Sequence, residues 1–310
     1  MPGKICVFAP AVLLTITIES EGDDEAAAIH VHPGGQGFWV ARAIRQLGED
    51  PVICTALGGE TGQMLQHLIP TWEIDLEPVP SEANSPAYVH DRRDGTRREI
   101  AETPPPTLSR HEIDDLYSKT LETALASGLC VVTGRFAQGG FSEDLYRRLG
   151  ADLASTGLPV VGDLHGDDLS SFLEGGALGL LKVSTEDLRA DGLLRHASQK
   201  EIVGAMDSLI ERGVRSVVVS GDEGATVARI EGKTLVATQP RLEAVDHRGA
   251  GDSMTAGLAV GLAREIGGEA ILRLACAAGA AAVVRHGLGS ADPELVAELI
   301  DLVDIREVTS

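Results

Sequence analysis

The segment Asp246-His247-Arg248-Gly249-Ala250-Gly251-Asp252-Ser253-Met254 holds the residue types and spacing best suited to chemistry. Small residues at 249–251 let the backbone approach a ligand closely, and a helical pattern follows from Met254 to Leu262. The first amides of a helix have no acceptor inside it, and with the helix dipole they favour an anion. A carboxylate at that mouth, Asp252, would be repelled by a phosphate. Its presence points to a base working beside a phosphoryl group, the core of a phosphoryl-transfer site.

A second Gly-rich run, Pro33-Gly34-Gly35-Gln36-Gly37, follows a strand pattern and precedes a helical one. Alone, it reads equally well as a tight turn. Thr133-Gly134-Arg135, Asp163-Leu164-His165-Gly166, Lys182-Val183-Ser184 and Ser220-Gly221-Asp222-Glu223-Gly224 also close strand patterns. In a sheet covered by helices, ligands bind beyond the carboxyl ends of the strands. Several such loops on one rim carry more weight than any one of them.

The elements that must position these loops come from periodicity. Buried-strand patterns lie at Ile5–Ala9, Pro51–Leu57, Leu129–Thr133, Pro159–Asp163, Leu178–Val183 and Arg215–Ser220. Helical patterns lie at Val40–Leu47, His111–Ala126, Ser142–Ser155, Gln199–Arg212, 253–265, 269–285 and 292–303. Strands alternating with helices imply a mainly parallel sheet covered on both faces. Leu14–Ile18, Ala28–His32 and the strands flanking Asp94-Gly95 are polar and alternating, and suit a small antiparallel lid. The expectation is one domain over residues 1–310, with a lid from about 12–32 and 84–102.

Composition narrows the function. A formal charge of −21 argues against nucleic acid, which needs clustered Lys and Arg. No apolar run reaches the ~18 residues of a membrane span, and no basic region followed by an apolar run opens the chain. A cytoplasmic protein is expected. Cys6, Cys54, Cys130 and Cys276 form no C-x-x-C pair and read as buried reduced thiols.

Gly34-Gly35-Gln36-Gly37 with the helix to Gly48, and Gly249-Ala250-Gly251-Asp252, resemble the ribokinase/PfkB carbohydrate kinase family, closest to its phosphofructokinase B and 1-phosphofructokinase branch. The match runs on through the lid hairpin, Thr133-Gly134, Lys182, Ser220 to Ala225, and Ala277 to Gly287. The resemblance implies a ribokinase-like three-layer α/β/α fold with a small antiparallel β lid. It implies an ATP- and Mg2+-dependent phosphotransferase acting on a hydroxyl of a sugar, sugar phosphate or related small molecule. Asp252 would be the base, and the amides of Gly249, Ala250, Gly251 and Asp252 the anion hole. Substrate would sit at Gly34 and Gly35, and nucleotide near Lys182, Ser184, Ser220, Gly221, Gly224, Ala277 and Gly279. A homodimer through the lid is expected, because open sheet edges need cover.

Departures from the family pattern concentrate on the substrate side. Leu13 stands where the family has a sugar-binding Asp, Trp39 where it has Asn, Asn84 where it has an Arg, and Arg135 where it has Ser. A pocket walled by Leu13 and Trp39, with a cation at Arg135, implies an acceptor with an apolar portion and an anion. On the metal side, the family's Asn-x-x-Glu is Ser184-Thr185-Glu186-Asp187, so Asp187 would hold a magnesium-bound water. Arg285 replaces an Asn beside the family's potassium site and is expected to pair with Asp246 in the ion's place. The alternatives are a non-catalytic nucleotide- or metabolite-binding descendant, and a nucleoside kinase with Trp39 stacked on a base.

Overall fold

The structure is a computed structural model that describes residues 3–20, 27–136, 144–221, 225–240, 242, 248–283 and 290–308. The chain begins with β1 (Lys4–Phe8), a hairpin of β2 (Leu13–Ser20) and β3 (Ala27–Gly34), and helix α1 (Gln36–Gln46). β4 (Asp50–Gly58), α2 (Gly59–Leu68) and β5 (Asp75–Ser81) follow, then a second hairpin, β6 (Ala87–Asp91) and β7 (Arg98–Glu102). Alternation then sets in with α3 (Arg110–Ser127), β8 (Cys130–Thr133), α4 (Asp144–Thr156), β9 (Val160–Asp163), α5 (Gly166–Gly175) and β10 (Leu178–Ser184). It continues with α6 (Thr185–Ala190), α7 (Gln199–Glu211) and β11 (Val214–Ser220). The hairpin β12 (Ala225–Ile230) and β13 (Lys233–Thr238) precedes α8 (Ala250–Ala263), α9 (Gly268–Val283), α10 (Pro293–Ile300) and β14 (Asp304–Glu307).

Ten strands form one sheet in the order β14-β13-β12-β11-β10-β9-β8-β1-β4-β5. Every neighbouring pair from β11 to β5 is parallel, and the three pairs beyond β11 are antiparallel. Alternation along each strand divides the core. Ile5, Val7, Ile53, Val131 and Val218 face one apolar cluster with α1, α8 and α9. Cys6, Phe8, Cys54, Cys130 and Val132 face another, with α3, α4, α5 and α7. Both faces are therefore covered, which is why these strands are continuously apolar. All four cysteines are free and buried.

The small sheet has the order β3-β2-β6-β7. Each hairpin is antiparallel, and the two hairpins are joined by a parallel pair, β2 with β6. Thr15, Thr17, His32 and His90 share one face through the registers Thr15↔His32, Thr17↔His30 and Thr17↔His90. Gly95 at φ 79 makes the turn expected at Asp94-Gly95.

The boundaries differ from periodicity in three informative places. α8 starts at Ala250, so Ala250, Gly251 and Asp252 form the first helical turn rather than a loop before it. Gly249, at φ 78, makes the turn that permits this. The last helix ends at Ile300, because residues 304–307 pair with β13 as an edge strand. The stretch 59–81 holds α2 and β5, neither evident from pattern. Pro78 and Pro80 disguise β5, and are tolerated because it is an edge strand.

Candidate active site at the strand ends

Strand register assembles the floor of the site. Thr133 lies beside Asp163, and Asp163 beside Lys182, at the carboxyl ends of β8, β9 and β10. Lys182 and Asp163 are buried, with Nζ 3.3 Å from Oδ1. The other Asp163 oxygen accepts from Thr255 Oγ1 at 2.6 Å. Thr255 Oγ1 also lies 3.1 Å from the Gly251 carbonyl, which ties this network to the first turn of α8. Burial alone would lower the Lys182 pKa, but the carboxylates of Asp163, Asp252 and Asp187 outweigh it and leave it raised. A Cβ built on Gly251 would sit 2.6 Å from Lys182 Nζ, so the ammonium lies directly against that turn.

Asp252 is half-buried above this floor. Its pKa is pushed up to about 7, first by desolvation, then by Asp163, with Lys182 opposing. A carboxyl poised near neutrality is well matched to taking a proton from a hydroxyl. Around it, α8 has Gly249 as N-cap and no side-chain cap. The first hydrogen bond back to Gly249 O comes from the Ser253 amide, at 2.9 Å. The preceding amides of Ala250, Gly251 and Asp252 have no acceptor within the helix, and among the described residues no side chain caps it. α1 begins the same way: Gly35, at φ 96, is its N-cap and no side chain caps it. A Cβ there would stand 1.9 Å from Ala11 O, so only Gly fits. The Gly134 amide donates to Gln36 Oε1 at 3.1 Å, which anchors the 34–37 loop to the end of β8.

The remaining sequence candidates fare unequally. Gly34 packs on Leu13 and Trp39, and its own Cβ position would collide with Thr15 Oγ1. Trp39 is 6 % exposed, so most of the indole belongs to the core and one surface lines a cavity under the small sheet. Arg135 has its Nε 2.7 Å from Asp168 Oδ1, and its amide donates to Asp168 Oδ2 at 3.0 Å. Asn84 sits against Gly59, where its Oδ1 fills the space a Cβ would need.

On the nucleotide side, Ser184 and Ser220 end neighbouring strands in register, and the Gly221 amide bonds to Ala225 O at 3.1 Å. Ala277 is wholly buried between helices. Gly279 packs against Ala250 O and Met254, and so holds α9 against the α8 terminus. Asp187 closes a capping box: its Oδ2 accepts from the Ser184 amide and hydroxyl at 2.9 and 2.6 Å. Its Oδ1 stays 4.0 Å from His165 Nε2. Among the described residues no group of three His, Cys, Asp or Glu is placed to hold a metal ion. Gly224, Asp246 and Arg285 lie outside the described residues.

Periodicity and motif spacing missed the cavity beneath the small sheet. It has a volume of about 670 Å³ and reaches Gly35 at one end. Arg42 of α1, Trp72, Tyr88 and His90 of β6, and Arg97 line it. The aromatic content of the chain is so low, 3%, that both tryptophans meeting at one cavity was the available signal.

The model of pfkB family carbohydrate kinases matches residues 4–295. The chain belongs to the pfkB family. Members are phosphotransferases with a sugar hydroxyl as acceptor. Among the relatives of this pfkB chain is ATP-dependent 6-phosphofructokinase isozyme 2 of Mycobacterium tuberculosis, 28% identical over 299 residues, covering 94% of this chain and 87% of the relative. Tagatose-6-phosphate kinase of Staphylococcus epidermidis is 25% identical over 280 residues, covering 89% of each. Phosphofructokinase-2 from Escherichia coli, solved in complex with potassium, superposes with TM-score 0.86 at 22% identity over 97% of this chain and 99% of that one. That likeness establishes the ribokinase-like α/β fold with its second, smaller sheet.

Proposed function

We propose that this pfkB chain transfers the γ-phosphoryl group of ATP to a hydroxyl of an anionic small molecule, of which the sugar phosphates named for its relatives are the nearest precedent. The observation that carries the reading is Asp252 on an uncapped first helical turn, with its carboxyl near neutrality and Lys182 beneath it. Asp252 takes the proton of the attacking hydroxyl. The Gly249 to Asp252 amides stabilise charge on the group in flight, and Lys182 keeps two neighbouring carboxylates from repelling it. Gly34 and Gly35 admit the acceptor, and the rim at Lys182, Ser184, Ser220 and Gly221 receives the nucleotide.

Mg2+ characteristically keeps several waters and is held by one or two carboxylates plus substrate phosphates. A rim with Asp187 and no three-ligand cluster among the described residues fits that mode. Asp187 would hold a metal-bound water through Oδ1, and the metal would neutralise phosphate charge. The small sheet acts as a lid over the acceptor. Its exposed Ile29, Val31 and Ile100 favour a homodimer through that sheet. None of the described helices is long and apolar enough to cross a membrane, and we place the enzyme in the cytoplasm.

ADP release measured across sugar phosphates, polyols and nucleosides tests the reading. Asp252→Asn should keep ATP binding and lose more than ~100-fold in turnover. Turnover that survives the substitution removes Asp252 from the chemistry.

A further inference from the structure

The cavity beneath the small sheet has a chemistry of its own. At the end near the transfer site its wall is Leu13, Gly35 and Trp39. Leu13 and the indole face offer no acceptor or donor to a polyol, whose hydroxyls would be desolvated without partners. Further out, aromatic rings stand in pairs. His32 and Trp39 lie 5.8 Å apart between centroids, and Tyr88 and His90 lie 5.2 Å apart. Guanidinium groups rest on the aromatic faces: Arg42 is 4.6 Å from the Trp72 centroid, and Arg97 is 4.8 Å from that of Tyr88. Stacking orders a guanidinium in advance, which favours an anion at that place. Among the described residues, Arg97 Nε is buried without a hydrogen-bond partner.

A hydrogen-bonded chain completes the wall. His32 Nδ1 lies 3.0 Å from the Pro33 carbonyl, which can only accept, so this nitrogen carries the proton. In neutral His32 the Nε2 is then an acceptor for Thr17 Oγ1, 3.4 Å away. Thr17 Oγ1 in turn accepts from His90 Nε2 at 3.1 Å. His90 Nδ1 is left a bare acceptor, buried and unpartnered, in a residue only 4 % exposed. Burial first, then Arg97, Arg92, His32 and Arg248, lower the His90 pKa to about 4. Arg248 immediately precedes the Gly249 turn, so the cavity and the transfer site share one field. Glu19 and Glu102 also line the cavity, but Glu19 faces Arg92 at 3.9 Å.

We infer that this cavity takes an acceptor built on a planar ring, with its reacting hydroxyl toward Gly35 and an anionic group toward Arg97 and Arg42. The ring lies along Trp39, and the anion meets the stacked guanidiniums. This inference rests on the kinase reading for its hydroxyl end, but the binding it describes does not need turnover.

Both tryptophans of the chain line the cavity, so intrinsic fluorescence reports its filling. Three compounds separate the recognition elements: 4-(hydroxymethyl)phenyl phosphate (ring and anion), 1,4-benzenedimethanol (ring alone) and fructose 6-phosphate (anion alone). The first should saturate the quench with a Kd at least about tenfold below either of the others. Arg97→Ala should bring the first compound to the affinity of the second. Trp72→Leu, at a half-buried position, removes the surface on which Arg42 is stacked, so it should weaken both anionic compounds and leave 1,4-benzenedimethanol nearly unchanged. Fructose 6-phosphate binding as tightly as the first compound would overturn the inference, as would no saturable quench by the first at 10 mM, roughly a 3 kcal/mol interaction. Ring-and-anion binding without ADP formation upholds the cavity and counts against the kinase reading. ADP formation with fructose 6-phosphate alone does the reverse.

Discussion

The α8 terminus and the cavity beneath the small sheet are adjacent, yet they are built on opposite principles. Around Asp252 the important groups are backbone amides, glycines and a buried carboxylate–ammonium network held by strand register. Around the cavity they are side chains: indoles, imidazoles and stacked guanidiniums that stand on neighbouring strands and helices. Backbone machinery handles any phosphoryl group alike, whereas side chains distinguish one acceptor from another. On the proposed function, the reaction class resides in the first region and the acceptor in the second. One can stay fixed while the other changes.

The sharpest way to break this division is to compare Asp252→Asn with substitutions in the cavity. Asp252→Asn should reduce turnover more than ~100-fold for every acceptor. Arg97→Ala should change KM for anionic acceptors by about tenfold and leave turnover of neutral ones nearly unchanged. If Arg97→Ala lowers turnover equally for charged and neutral acceptors, the cavity takes part in the chemistry and the division fails.

Lys182 gives the next test, because it is the one ammonium beneath two carboxylates in the described site. Asp252 must be ionised to accept a proton. kcat/KM should therefore fall as pH drops through about 7, where its carboxyl titrates. Lys182→Met removes the group that opposes the upward shift. The inflection should then move above 7, and activity at pH 7 should drop about tenfold with recovery in alkali. The same substitution leaves Asp163 buried without its counter-charge, which costs roughly 3 kcal/mol of stability. An unmoved inflection would show that Lys182 does not set the base.

The two regions also differ in how much of them could be read from residues alone. The placement of Gly249, Gly251 and Asp252 was legible because it depends on near neighbours: a turn and the helix that follows. Gly35 was legible for the same reason, and the parallel sheet because its strands are buried on both faces. The pairing of Arg135 with Asp168 was not legible, because Asp168 lies 33 residues on in a helix that periodicity did not reveal. Thr255 binds Asp163 across 92 residues, and nothing local marks either as the other's partner. Ala277 was placed by motif in a small-residue helix, where the true demand is close packing: Gly257 on that interface lies with its Cβ position 2.7 Å from Ala275 Cα. The cavity escaped because Trp39, Trp72 and the β6 pair Tyr88 and His90 come from three separate segments, and no periodicity joins those segments.

The smallest effect expected is on stability, and it separates the regions once more. In the folded protein the Asp252 carboxyl holds its proton up to about 7, against an ordinary 3.8. Between those values the native state binds a proton that the unfolded chain has released, so stability falls as pH rises across that window. Above about 7 the loss is complete. Allowing for the part of this carboxyl that solvent still reaches, the loss is about 2 kcal/mol. Asp252→Asn should remove that slope, so the variant melts a few degrees higher than the wild type at pH 8 and nearly level with it at pH 4. Arg97→Ala, on a half-exposed turn, should show no such pH-dependent gain. Melting curves of the three proteins at pH 4, 6 and 8 decide the matter. A variant at 252 that gains nothing at pH 8 would mean that the carboxyl is not held against its charge, and the case for a base near neutrality would go with it.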